Sequence, residues 1–151
     1  MNRSKIFIAA VFAGLAFSCS DEDSKTTNTA TVQEVFDTMS VGKWKVINFV
    51  DGGNDHTTDY AGFIFRFNKN TSAISAVNGG TTYTGMWSVS SEDDGDATGD
   101  VDFNINFTEP DDFMELSDDW DVVELGVNMI KLKDVGDSSD GTDYLTFEKD
   151  L

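Results

Sequence analysis

Cysteine, proline and histidine each occur once in this chain, and basic residues are scarce, with 10 Lys and Arg against 28 Asp and Glu. A single cysteine, Cys19, excludes an intrachain disulfide. A single histidine, His56, in the polar stretch DGGNDHTTD, leaves little for acid–base or nucleophilic catalysis and reads as an exposed loop residue. There is no G-x-S-x-G elbow, no glycine-rich phosphate loop and no zinc-ligand spacing, and carboxylate pairs in so acidic a chain carry no diagnostic weight. The expectation is therefore that the protein is not an enzyme and carries no cofactor. The deficit of cations repels nucleic acid phosphates, so no nucleic acid partner is expected. Long apolar runs are absent too: the longest, Ile6 to Phe17, is too short for a stable membrane-spanning helix, which needs about 20 residues.

The 151 residues suffice for one domain. No repeat of 20–50 residues is visible. Val32, Val35, Phe36 and Met39 recur at helical spacing, with Thr31 placed as N-cap and Glu34 three residues on as the partner of a capping box. From Lys43 onward the apolar period becomes two. Strands are predicted over 43–50, 62–68, 73–77, 81–89, 101–107, 120–125, 128–133 and 143–149. Phe63, Phe65 and Phe67 alternate with Ile64 and Arg66; Tyr83, Gly85, Trp87 and Val89 share a face; Val101, Phe103, Ile105 and Phe107 share another. Asn78-Gly79-Gly80 is a hairpin signal. The only proline, Pro110, lies in a connection with a helical turn over 111–116. Residues 90–100 and 137–141 read as polar loops. Eight short strands joined by tight connections make an antiparallel meander, and closure into a barrel removes its open edges. The expected fold is all-β: an eight-stranded antiparallel up-and-down barrel with a short N-terminal helix.

Residues 1–18 read as a signal peptide, with a basic start at Arg3 and Lys5, an apolar stretch, and Ala16-Phe17-Ser18 before the cysteine. That arrangement resembles the lipobox of bacterial lipoproteins, although Ala16 stands where leucine is usual. The resemblance implies a lipidated Cys19 as the first mature residue and a membrane partner through the acyl anchor. Without Arg3 and Lys5 the mature chain would hold 8 basic and 28 acidic residues, a net of −20 instead of −18. Residues 19–31 form a polar tether. Its start, Ser20-Asp21-Glu22-Asp23, resembles the acidic export signal of surface lipoproteins in the Bacteroidota, which implies an outer-membrane lipoprotein exposed at the cell surface.

Within residues 32–151, Gly42-Lys43-Trp44, after a short helix and opening the first strand, resembles the G-x-W motif of lipocalins. The order of GKWKV at 42–46, FRFNKN at 65–70, GGTTYTGMWSV at 79–89, IKLKD at 130–134 and DYLTFEK at 143–149 resembles lipocalin-like domains of Bacteroidota lipoproteins. In that family the tryptophan plugs the closed end of the barrel under a late arginine; the last strand here offers only Lys149.

Four sets of residues are candidates for binding. Trp44, Phe63, Phe65, Phe67, Tyr83, Trp87, Phe103, Ile105, Phe107, Leu132 and Phe147 are expected to point inward. They line either a cavity for a small hydrophobic ligand or a packed core. Asp94, Asp96, Thr98 and Asp100 sit in a D-x-D-x-T-G-D-x-D run whose alternating oxygens and glycine suit calcium; Ile105 stands where an EF-hand needs glutamate, so the choice is a looser site or a solvated loop. The acidic stretch at 134–143 carries the same two readings. Tyr60, Trp120 and Tyr144 stack on sugar rings if exposed and join the core if buried. The functional expectation is a surface lipoprotein that binds a small hydrophobic molecule in its barrel, or else a non-catalytic envelope module with a filled barrel and calcium- or glycan-binding loops.

Overall fold

The computed structural model describes residues 30–91, 101–136 and 141–151. Helix α1 (Val32–Met39) begins at the Thr31 N-cap. The Glu34 amide donates to the Thr31 hydroxyl and the Glu34 carboxylate accepts from the Thr31 amide, which satisfies two otherwise orphaned donors. Val35 and Met39 on its inner face are fully buried. Ser40 to Gly42 then turn the chain into the sheet, and Gly42 takes φ +94°, a conformation in which a side chain is strained.

The strands that follow are β1 (Trp44–Asp51), β2 (Asn54–Asp55), β3 (Ile64–Asn68), β4 (Ala73–Asn78), β5 (Thr81–Ser91), β6 (Val101–Phe107), β7 (Asp119–Leu125), β8 (Met129–Val135) and β9 (Thr142–Lys149). Each neighbouring pair is antiparallel, and β9 returns to pair with β1 along most of its length, from Trp44↔Lys149 to Val50↔Tyr144. The result is a closed eight-stranded up-and-down barrel, with β2 as a two-residue spur on β1. Period-two patterning predicts the eight barrel strands. It does not predict β2 or the 3-10 turn Thr57–Tyr60, both in the stretch read as a loop. Polar residues dominate there, so no apolar alternation marks them; Asp55 and Thr57 organise the segment by accepting from Thr57 N and Phe49 N, respectively. Strand β5 also runs to Ser91, two residues beyond the predicted strand end, because Ser90 and Ser91 continue the ladder to Asp102 and Val101.

Gly85 makes the close approach of β5 to β6 feasible. A Cβ there would stand 2.3 Å from the Asn106 carbonyl oxygen on β6, so only glycine allows the two strands to pass this closely. The seam between β1 and β3 is the weakest join of the barrel: one pairing, Trp44↔Phe65, connects them. Helix α1 covers the barrel end that holds the start of β1 and the β3–β4 turn. Phe36 stacks on Trp87 at 4.9 Å, and the Trp44 indole donates to the Met39 carbonyl at 3.0 Å. The opposite end is covered by the 3-10 turn and by the four-residue helix α2 (Asp111–Met114).

Candidate functional site

The inward rows of the strands meet at the barrel axis. Phe67 of β3 has the rings of Trp87, Phe103 and Phe147 at 5.3, 5.5 and 5.6 Å, each edge to face. Phe65 meets Phe147 at 5.3 Å. These separations are direct contacts of aromatic rings in their preferred T-shaped geometry. Phe65, Phe103 and Phe147 keep no accessible surface, and Phe67, Trp87, Ile105, Phe107 and Leu132 keep at most 3%. A side chain facing an empty chamber of a few hundred Å3 would retain surface toward it. Around this layer the barrel is filled by rings.

Trp44 is fully buried below that layer, with the Lys149 ammonium 5.1 Å from its ring centroid. Lysine thus takes the cation's place over the tryptophan. Phe63 and Tyr83 differ from the other inward residues. They are half-buried at the α2 end, 5.8 Å apart, and Phe63 precedes β3 instead of lying within it.

What closes that end is Phe113, which sequence patterning did not single out. It contacts Tyr83, Phe63, Phe107, Tyr60 and Phe65 at centroid distances from 4.7 to 6.0 Å. Its one visible mark in the sequence is the spacing of Phe113 to Leu116 within an acidic segment; both are buried. Tyr60 is buried as well. Its hydroxyl donates to the Asp112 carbonyl, tying the 3-10 turn to α2. Burial, reinforced by Glu115, Asp59, Asp112 and Asp51, raises the phenol's pKa and keeps it protonated.

Several expectations need correction. His56 is not simply an exposed loop residue. It is half-buried, with Nδ1 3.3 Å from Asp59 Oδ2 and 3.7 Å from Glu115 Oε2, so it bridges the turn to the segment after α2. Tyr60 and Trp120, each 1% exposed, are unavailable to a sugar; Trp120 instead donates its indole N–H to the Leu116 carbonyl. Tyr144 alone of the three is exposed.

Cys19 and the calcium candidates Asp94, Asp96, Thr98 and Asp100 lie outside the described residues. Among the described residues no group of three or more His, Cys, Asp or Glu side chains is arranged to hold a metal ion. The second acidic stretch is partly visible. Asp134 and Asp143 face each other across β8 and β9. Desolvation first, then the charges of Asp143, Asp119 and Asp121, raises the pKa of Asp134. Desolvation likewise pushes Asp118 up to about 6, aided by Asp134 and Asp119 and opposed by a backbone hydrogen bond.

No protein-family model and no curated protein matches the chain.

Proposed function

We propose that this protein is a non-catalytic, lipid-anchored module of the cell envelope, a lipocalin-like barrel whose interior serves as a scaffold and whose outer surface carries the binding. The observation that carries the scaffold reading is the ring-filled interior: Phe65, Phe103 and Phe147 leave no surface for a ligand to cover. Acylation at Cys19 and display at the outer face of the outer membrane are part of the same proposal, supported by the lipobox-like sequence and by Ser20-Asp21-Glu22-Asp23. Two acyl chains, at about 0.8 kcal/mol per buried methylene, hold a protein stably on a bilayer.

A second reading, a small hydrophobic ligand within the barrel, draws its support from the α2 end. There the half-buried Phe63 and Tyr83 meet Phe113 on a helix of four residues, and displacement of Phe113 opens room for an apolar group.

Mass spectrometry of an organic extract of natively purified protein separates the two. The scaffold reading expects no stoichiometric hydrophobic molecule beyond the covalent acyl chains; a lipid or pigment at one per chain transfers the function to the barrel mouth. For the anchor, Cys19→Ala is expected to move the protein from the membrane to the soluble fraction. Persistence in the membrane fraction removes the lipoprotein reading.

A further inference from the structure

The cations of this acidic protein are not distributed evenly in their pairing. Lys45, Lys131 and Lys133 each face a carboxylate, on Glu148, Glu124 and Asp121, at 3.3, 2.7 and 3.4 Å. Lys149 lies over Trp44. Arg66 and Lys69, like Lys43 at the start of β1, have no carboxylate partner among the described residues. Arg66 and Lys69 both border one concave surface, a groove of about 490 Å3 on the outside of the barrel at the α1 end.

The groove exists because β1 and β3 part company. Beyond the single pairing Trp44↔Phe65, β3 has a strand neighbour on one side only, and the connection Ser40-Val41-Gly42 runs past it unpaired. The floor is a row of side chains adjacent across three strands: Arg66 opposite Ser75, and Ser75 opposite Thr84. At the rim, Asn68 accepts the amides of Asn70 and Thr71 through its side-chain oxygen, so its NH2 is the end left to donate. Among the described residues no aspartate or glutamate lines the groove, although the chain has 28 of them against 10 basic residues.

We propose that this groove binds a phosphate group, held by the Arg66 guanidinium and the Lys69 ammonium with Ser75 and Thr84 hydroxyls beneath. Arginine presents a planar fork of donors to two phosphate oxygens, lysine supplies a mobile point charge, and hydroxyls complete a tetrahedral anion that has more oxygens than a carboxylate. The surrounding negative charge of the protein disfavours casual anion adsorption, so a site that binds phosphate here does so through local contacts. The volume exceeds that of phosphate alone and fits an ester. Two sources share this chemistry, a phospholipid headgroup and a free phosphate ester. The inference goes beyond the scaffold reading and does not depend on acylation.

The test uses the full chain carrying Cys19→Ala, so that no acyl chain contributes to the readout. Inorganic phosphate is titrated against it at constant ionic strength and followed by amide chemical shifts. Saturable shifts are expected at Ser40 to Gly42, Arg66 to Asn70, Ser75 and Thr84. Arg66→Gln with Lys69→Gln, at exposed positions, is expected to keep the melting temperature and weaken binding about tenfold or more. Vesicles of phosphatidylglycerol with phosphatidylcholine form the second arm. Capture by vesicles that the double variant abolishes identifies a headgroup; a response to phosphate without capture identifies a free ester. Absence of both responses, or equal affinity in the double variant, overturns the proposal.

Discussion

The two ends of the barrel are closed by different means. At the α1 end an eight-residue helix carries a complete capping box, buries Val35 and Met39, and is bolted to the first strand by the Trp44–Met39 hydrogen bond. At the α2 end a four-residue helix begins at Pro110 without a side-chain cap, and its attachment rests on Phe113, the Tyr60 hydroxyl and the His56 contact to Glu115. One lid is stabilised by its own helical hydrogen bonds plus packing. The other is stabilised almost wholly by tertiary contacts, because so short a helix nucleates poorly. Local opening is expected to start from the second.

The largest effect expected is at Phe113. Phe113→Ala empties the centre of a ring of five aromatic partners and should cost about 3–5 kcal/mol in urea unfolding. A loss below about 1 kcal/mol would mean that α2 is not the lid described. Next, one hydrogen bond is removed at each end. Trp44→Phe leaves the buried Met39 carbonyl without its donor and should cost about 1–3 kcal/mol. Tyr60→Phe frees the carbonyl of the exposed Asp112, which water can serve, so the cost should be nearer 1 kcal/mol. Equal losses would erase the contrast between a dry lid and a wet one.

Thr31→Ala removes the cap of α1 and should cost about 1 kcal/mol, with faster amide exchange confined to 32–36; exchange quickened at α2 instead would contradict the independence of the two lids. The smallest effect concerns the acidic edge beside α2. The native state binds the Asp118 proton more tightly than the unfolded chain, where the pKa is about 4, so this group's contribution is greatest at low pH. It is lost as pH rises through about 6. Asp118→Asn should therefore raise the melting temperature at pH 7 and flatten its pH dependence between about pH 4 and 6. A variant that melts lower at pH 7 would refute the burial assigned to this carboxyl.

The same division between the ends governs what could be read from the amino-acid order. The α1 lid was legible because Val32, Val35, Phe36 and Met39 repeat at helical spacing behind a Thr-x-x-Glu signature. The barrel strands were legible because Phe65 and Phe67, or Phe103, Ile105 and Phe107, alternate with polar residues. The turn of α2 was legible over 111–116, but its role as a lid was not, since Phe113 and Leu116 form no sustained period. The partners that bury Tyr60 lie 52 residues away at Asp112. Trp120 was ambiguous for the same reason: a lone aromatic at a strand start is core or surface according to what crosses over it. The groove of Arg66 and Lys69 was invisible, because it arises where two strands fail to pair.

Alternation by two, helical spacing, capping and turn residues are local properties, and by themselves they determined an all-antiparallel set of strands behind a short helix. Closure into a barrel followed from the open edges such a meander would leave, but the choice between a filled and a hollow interior, the aromatic plug at one mouth and the gap beside β3 were decided only by tertiary structure. Each depends on which residues distant in the chain arrive at the same point, and that is set by shear, bend and close approach, as at Gly85, which composition and period do not encode.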